Sequence, residues 1–335
     1  MGRGMGRGRG KKGKKPPKEF PGKYFENLKK IVMDRYCSNC GACVAACPVK
    51  GISIVSYSSP PYFPGWESDC TDCGFCVRVC PRWNYQPNKG LGEYFKILAM
   101  KSKRFTGQDG GAVTEILAHA MEKNIIDSAV IVRRDENWKP EAIIANSIEE
   151  LVEGAGTKYS HAFPLSVLKS IKGRGNEKIA VVGTPCVVSA TRKLQREMGK
   201  FSRKIALVIS LFCMENFYYP DLLEFLRKKG IDISSVEKMD IKKGKFYVYP
   251  SEVSFPVKDL DEIVPSGCKV CQDFTGIESD ISVGSVGSPD GYSTVIVRNK
   301  NLFELIETAE AEFGDANIKA VEKLAEFKAK IHPLS

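Results

Sequence analysis

A small cysteine-rich α+β domain followed by a larger α/β domain on a mixed sheet is the fold class this sequence predicts. Three observations carry it. Two copies of one cysteine pattern stand close together before residue 81. From about residue 91 onward helical and strand patterns alternate, as they do when helices pack on a sheet. At 335 residues the chain is too long for the cysteine-rich unit alone and suits one small and one large domain.

The first segment, residues 1–20, opens MGRGMGRGRGKKGKKPPK and carries eight cations against Glu19. It supplies +7 of the formal net charge of +10. Without apolar periodicity it cannot bury enough surface to offset its ordering entropy, so disorder is expected. The nearly balanced remainder gives no charge argument for specific nucleic-acid binding. The tail lacks the apolar core of a secretory signal. No stretch approaches the roughly 20 apolar residues that span a bilayer. The longest apolar run, Ile205 to Met214, is broken by Ser210 and reads as a buried strand. A cytoplasmic protein is expected, with any place at the periphery of a membrane complex owed to other subunits.

Residues 21–90 hold the cysteine repeat. CSNCGACVAACP begins at Cys37 and CTDCGFCVRVCP at Cys70, and each reads C-x2-C-x2-C-x3-C-P. This is the run by which bacterial ferredoxins hold [4Fe–4S] clusters. Three thiolates on one tight loop take three corners of a cubane, and the fourth cysteine points to the other cluster. The assignment is therefore Cys37, Cys40, Cys43 and Cys80 for one cluster, and Cys70, Cys73, Cys76 and Cys47 for the second. Structural zinc sites use two C-x2-C pairs, not two complete runs ending in proline. Gly41 and Gly74 relieve crowding as the loop turns, and Pro48 and Pro81 end the short helices. The connector from Pro48 to Asp69 includes a strand-like GISIVSY. The unit reads as ferredoxin-like.

Residues 91–335 form the larger domain. A helix is predicted over 111–124, strands over 128–133 and 142–145, and a helix around 164–173. A buried strand over 178–182 turns at Gly183-Thr184-Pro185 into a helix that runs to about Met198. IALVISLF is a second buried strand, with a helix near 220–229. VEKMDIKKGKFYVYP reads as a hairpin turning at Lys243-Gly244. Two strands fall within 281–298, and helix follows from 302.

Four more cysteines lie in this domain: Cys186 in GTPC, Cys213 in LFC, and Cys268 and Cys271 in SGCKVCQDF. Strand ends and loops are where α/β sheets place functional groups. Cys186 and Cys213 read equally as small core residues and the C-x2-C as a redox pair, so the residues alone leave a third cluster open.

GQDGGAVTEILAHAMEKNIIDSAVIV, GTKYSHA, VVGTPCVVSATRKL, LFCMENF, IKKGKF, CKVCQDF and DISVGSVGSPDGYSTVIVRN resemble, in order, the beta subunits of coenzyme F420-reducing hydrogenases and F420-dependent dehydrogenases. The resemblance spans roughly residues 90–300. With the cysteine repeat in front, the chain resembles the electron-input subunit of reduced-F420 dehydrogenase complexes. The resemblance implies FAD, a further [4Fe–4S] cluster on Cys186, Cys213, Cys268 and Cys271, and coenzyme F420 as substrate against the flavin. For the flavin it implies Gly110, Gly111 and Thr114 at a helix N-terminus that can receive a pyrophosphate. To these it adds Thr157, Lys158 and Tyr159; the Gly183, Thr184 and Pro185 turn; and Asn216, Ser282, Gly284 and Ser293. Asp109 stands where the family motif usually has serine. Lys242, Lys243 and Lys245 are candidates for the anionic tail of F420.

The implied function is a flavin iron–sulfur oxidoreductase. It passes a hydride between F420 and FAD, and single electrons through the clusters to or from ferredoxin or other redox subunits of a hetero-oligomeric complex. No side-chain nucleophile or base is needed. Of the three histidines, His119 reads as packing or surface, His161 as able to approach the flavin, and His332 as tail. A ferredoxin-dependent reductase of an organic substrate and a non-catalytic electron-wiring protein are the rival readings.

Overall fold

The computed structural model describes residues 24–49, 51–54, 70–88, 90–171 and 175–333. The basic tail, residues 55–57 of GISIVSY and the loop after it lie outside the described residues.

The large domain is built on eight strands: β1 (Lys96–Ser102), β2 (Ser128–Arg134), β3 (Pro140–Ala145), β4 (Ile179–Gly183), β5 (Ile205–Leu211), β9 (Ile281–Gly284), β10 (Ser293–Val297) and β11 (Ala311–Gly314). They order as β11-β1-β10-β9-β5-β4-β2-β3. β2, β4, β5 and β9 run parallel, while β3, β10 and β11 run against their neighbours. The central strands alternate between two cores, as a sheet covered on both faces must. Ala180, Val182, Leu207 and Ile209 enter the core beneath the helix Ala112–Glu122. Ile179, Val181 and Val208 enter the opposite core, beneath the helix Pro185–Glu197. A second sheet of β6 (Lys238–Lys242), β7 (Lys245–Tyr249) and β8 (Val253–Pro256) packs over its own core with the helix Tyr219–Lys228.

In the large domain the predicted strands and the helices over 111–124, 183–198 and 220–229 are present. In the connector, residues 51–54 of the strand-like GISIVSY form no strand. Three expectations for the large domain need correction. Residues 164–173 hold a 3-10 helix, Pro164–Ser170, rather than an α-helix. The hairpin has a third strand, Val253–Pro256. The region from 302 is not continuous helix, because β11 separates Phe303–Glu307 from Ile318–Ile331.

The N-terminal unit has a helix Tyr24–Met33 and two short helices, Ala42–Ala46 and Phe75–Arg78. Each short helix starts from a glycine in left-handed conformation, Gly41 at φ +80 and Gly74 at φ +75. A Cβ on Gly41 would also lie 2.6 Å from the backbone nitrogen of Ser166. Gly41 thus lets the cysteine loop lie directly on the large domain. Ala42, Ala45, Ala46 and Val79 share one core with Leu165, Val187 and Val188. The two units therefore form one packed body.

Candidate functional site

Strand direction decides where the site lies. β1, β4, β5 and β9 all point the same way, and β10 starts where β9 ends. One sheet edge therefore carries the Gln108–Gly111 loop after β1, Gly183 to Cys186 after β4, Cys213 after β5, Gly284 at the end of β9 and Ser293 at the start of β10. Ligand sites of open α/β sheets form at such carboxyl ends.

At the β1 end the helix Ala112–Glu122 begins from left-handed Gly111 with no side-chain cap, so its leading N–H groups are free to meet an anion. The missing Cβ atoms serve the backbone first. One on Gly110 would fall 2.5 Å from the Met100 carbonyl, and one on Gly111 2.3 Å from that of Phe105. Ser293 accepts a hydrogen bond from the Gly110 N–H at 3.2 Å. Asp109 accepts from the Ser285 hydroxyl at 2.7 Å. Gln108, which sequence reasoning passed over, accepts from the Thr157 N–H at 3.2 Å and donates to the Met239 carbonyl at 3.1 Å. Lys238 reaches the Gln108 carbonyl at 3.2 Å. Tyr159 meets the ring of Phe246 edge-on, at 5.5 Å. The three-stranded sheet is thus drawn against the glycine loop, and Gly110, Gly111, Thr157, Tyr159 and Ser293 come together.

The other predicted flavin contacts are placed differently. Lys158 turns inward, and its ammonium donates to the carbonyls of Gly154, Ala155 and Gly156 at 2.6, 3.1 and 2.9 Å. Thr114 is buried in the first turn of its helix. Ser282 is buried between the Ser279 hydroxyl and the Arg298 guanidinium. A Cβ on Gly284 would strike the ring of Phe212. Asn216 closes a local turn onto the Phe217 N–H, and its carbonyl faces the Cys268 sulfur. Pro185 opens its helix, and Thr184 lies 3.2 Å from Cys186. Lys243 and Lys245 are exposed, and Lys242 pairs with Asp240 at 3.1 Å.

None of the twelve cysteines forms a disulfide. Cys47, Cys70, Cys73 and Cys76 line one cavity, beside Pro48 and Gly74. Burial pushes the Cys37 thiol up to about 12, with Cys80 and Cys186 adding to the rise. Cys40 rises for the same reasons, burial first and then Cys80. Cys213 rises through burial and then through Cys268, Cys186 and Cys271, against the pull of Lys328. Cys186 is thus an electrostatic neighbour both of Cys37 and Cys40 and of Cys213 and Cys268. Among the described residues no three His, Cys, Asp or Glu side chains could hold a single metal ion.

The surroundings fit an anionic group. Arg82 is buried at 1% exposure, and its Nε has no hydrogen-bond partner in the protein. Burial disfavours its charge, but Cys271, Cys186 and Cys268 outweigh that and hold it cationic. Arg82 also lines a cleft of about 210 Å³ beside Cys186 and Cys271. His161 is buried with Nε2 at 3.7 Å from the Cys268 sulfur, and burial, then Arg82, push its pKa down to about 3. His332 is not tail: at 3% exposure it lies 2.8 Å from the Cys271 carbonyl through Nδ1 and 2.8 Å from Glu215 through Nε2. His119 is packing, 2.9 Å from the Thr308 hydroxyl. Arg82 could have been noticed as the cation directly after Cys80-Pro81. Lys328 and His332 had no sequence signal near a cysteine.

Three family descriptions match this chain in order. A 4Fe-4S dicluster domain matches residues 31–85. The N-terminal domain of the coenzyme F420 hydrogenase/dehydrogenase beta subunit matches 97–169, and its C-terminal domain matches 176–323. The chain belongs to the family of coenzyme F420 hydrogenase/dehydrogenase beta subunits.

Similar proteins with F420-linked names agree. An F(420)H(2) dehydrogenase subunit of Methanosarcina mazei is 32% identical over 90% of this chain and 92% of its own length. The coenzyme F420 hydrogenase subunit beta of Methanothermobacter thermautotrophicus is 38% identical over 70% of this chain and 87% of its own. The coenzyme F420-dependent sulfite reductase of Methanocaldococcus jannaschii is 38% identical over 92% of this chain. The chain spans about half, 51%, of that relative's length. A chain of the F420-reducing [NiFe] hydrogenase complex from Methanosarcina barkeri superposes with a TM-score of 0.68 at 31% identity, covering 74% of this chain and 92% of that one. The two beta-subunit domains thus account for the mixed-sheet domain, and the dicluster unit precedes them. Among the described residues no helix is long and apolar enough to cross a membrane.

Proposed function

We propose that this chain is the F420-linked electron-transfer component of a larger redox assembly, exchanging a hydride at a flavin and single electrons through three clusters. The observation that carries the reading is the row of thiol groups. Cys213 and Cys268 stand within electrostatic reach of Cys271 and Cys186, Cys186 within reach of Cys37 and Cys40, and Cys80 within reach of both Cys40 and Cys76. Such a row begins at the sheet edge that carries the glycine loop.

Cys37, Cys40, Cys43 and Cys80 would hold one cluster, Cys70, Cys73, Cys76 and Cys47 the next, and Cys186, Cys213, Cys268 and Cys271 the third. The N-terminus of Ala112–Glu122 would receive the flavin pyrophosphate, with Gly110, Ser293, Thr157 and Tyr159 around it. When bound, FAD supplies the exchange between one two-electron step and two one-electron steps, and the clusters supply the path. The chain's own part is to orient and to exclude water. The β6–β7 hairpin closes one side of the glycine loop through Gln108 and Lys238. Its exposed Lys243 and Lys245 offer charge to an anionic substrate tail. The partner is ferredoxin or further redox subunits, as the complexes named among the relatives suggest.

The test is anaerobic mixing of the reconstituted protein with reduced F420, following deazaflavin, flavin and cluster absorbance together. Deazaflavin oxidation with flavin and cluster bleaching is expected. Bound flavin that ferredoxin reduces and reduced F420 does not would reject the reading in favour of a ferredoxin-driven reductase. Absence of flavin after gentle purification would leave a wiring protein.

A further inference from the structure

Three lysines of the large domain occupy equivalent places. Lys169, at the end of the 3-10 helix Pro164–Ser170, donates to the carbonyl of Cys47 and to that of Val49 at 3.2 Å. Lys193, on the helix Pro185–Glu197, donates to the carbonyl of Cys80 at 2.7 Å and to that of Trp83 at 3.2 Å. Lys328, on the helix Ile318–Ile331, donates to the carbonyl of Cys213 at 2.5 Å and to that of Asp273 at 2.7 Å. Each bonded cysteine belongs to a different one of the three thiol groups. Cys47 and Cys80 are the ligands that cross from one cysteine run to the other cluster, and Cys213 stands outside the Cys268–Cys271 loop.

The three lysines lie 24 and 135 residues apart along the chain, on three separate elements, so one local motif does not explain the arrangement. Lys328 is fully buried, and Lys169 and Lys193 are half-buried. An ammonium has to gain something to be buried without a salt bridge. Two backbone carbonyls at each site supply hydrogen bonds but no countercharge, and the nearby carboxylates, Asp273 for Lys328 and Glu278 for Lys193, act on them from beyond salt-bridge distance. A cluster with four thiolates supplies the charge, and it becomes more negative by one on reduction.

We propose that Lys169, Lys193 and Lys328 are positioning residues, one per cluster, that set the three reduction potentials from the carbonyl side of the crossing or remote cysteine. This rests on the ligand reading given above. A cation held near a cluster favours its reduced, more negative state, and charge and hydrogen bonding are known levers on such potentials. Because all three lysines come from the large domain, the potentials of the N-terminal clusters depend on its docking.

The experiment is a potentiometric titration of the reconstituted full chain, read by electron paramagnetic resonance, for Lys169→Met, Lys193→Met and Lys328→Met and the matching Lys→Arg variants. Each methionine variant is expected to lower its own cluster's potential, a loss of about tenfold or more in the one-electron reduction equilibrium, or about 59 mV. The other two clusters should move less, and arginine should restore most of the value. Unmoved potentials, equal shifts in all three clusters, or a shift that arginine leaves in place would overturn the proposal. If methionine empties a cluster, retention of that cluster and its potential by arginine supports the charge role, and loss in both variants overturns it. Iron content in the wild type separates the two layers. Iron short of three clusters counts against the ligand reading, and full iron with unmoved potentials counts against the lysines alone.

Discussion

Lys158 shows how a residue of the right chemistry can serve the fold instead of a ligand. In GTKYS it reads as a cation for a flavin phosphate, yet its ammonium lies in a cup of three carbonyls just past the helix Ile148–Glu153. The last carbonyls of a helix have no intrahelical donor, and a cation there also meets the negative end of the helix dipole. Replacing it by methionine strips hydrogen bonds from a charged donor, a loss of about 1.5–3 kcal/mol. Lys158→Met is therefore expected to unfold at lower urea while flavin content per folded chain holds. Flavin loss at unchanged stability would return Lys158 to the cofactor. The pH dependence gives a second reading. Burial, with Arg134 adding, pushes the folded pKa down from 10.5 to about 7. Between those values the unfolded chain holds a proton that the folded chain has released, so this group makes stability rise with pH. The difference in stability between Lys158→Met and wild type should follow that slope, being flat below about pH 7 and changing as the pH climbs past it.

Among the elements, those with a strong period were legible and the short edge pieces were not. β4 and β5 are apolar runs, broken in β5 only by Ser210, as expected of strands covered on both faces, and the eight ferredoxin-type cysteines are marked by spacing alone. β11, AEFG, has one buried residue in four, so nothing in its sequence separates it from the helices on either side. Pro164–Ser170 carries the apolar spacing of a helix, but it begins with Pro164 after left-handed Phe163 and stays tightly wound in 3-10 form. His332 could not be placed from its sequence, because only the return of Ile318–Ile331 over the Cys271 loop buries it. Gly110 and Gly111, expected from the resemblance to serve a pyrophosphate, are required first by the backbone around them. Gly111 stands at φ +67 with its missing Cβ aimed at the Phe105 carbonyl. Gly111→Ala should cost at least about 1–3 kcal/mol through that backbone conformation alone, and more if the loop cannot give. Chemical denaturation of the cofactor-free chain measures it. A midpoint equal to wild type would show that the loop shifts freely, and the glycine would then be kept for the ligand rather than for the fold.

For the whole molecule, the question is whether the thiol groups act as a series or as independent sites. The N-terminal unit is fixed to the large domain through the backbone of its own ligands. Leu165 donates to the Cys40 carbonyl at 2.9 Å and the Tyr218 hydroxyl to the Cys37 carbonyl at 2.7 Å. Gln272, beside Cys271, donates from its N–H to the Tyr85 hydroxyl at 3.0 Å. Arg78 pairs with Glu197 at 2.8 Å, but both are partly exposed, so that ion pair adds about 0–1 kcal/mol and the shared apolar core holds the units together. Such docking keeps Cys186 within electrostatic reach of Cys37 and Cys40, so on the proposed reading the third group stands between the sheet edge and the N-terminal pair. Cys213→Ser removes one proposed ligand of that group from the end of β5. With reduced F420 added anaerobically, the variant is expected to bleach the proposed flavin as fast as wild type while the N-terminal clusters stay oxidised on the same timescale. Dithionite, which needs no flavin, should still reduce them, showing that they are present. If reduced F420 reduces the N-terminal clusters in Cys213→Ser as fast as in wild type, electrons reach them by another route, and the serial arrangement fails even with every ligand correctly assigned.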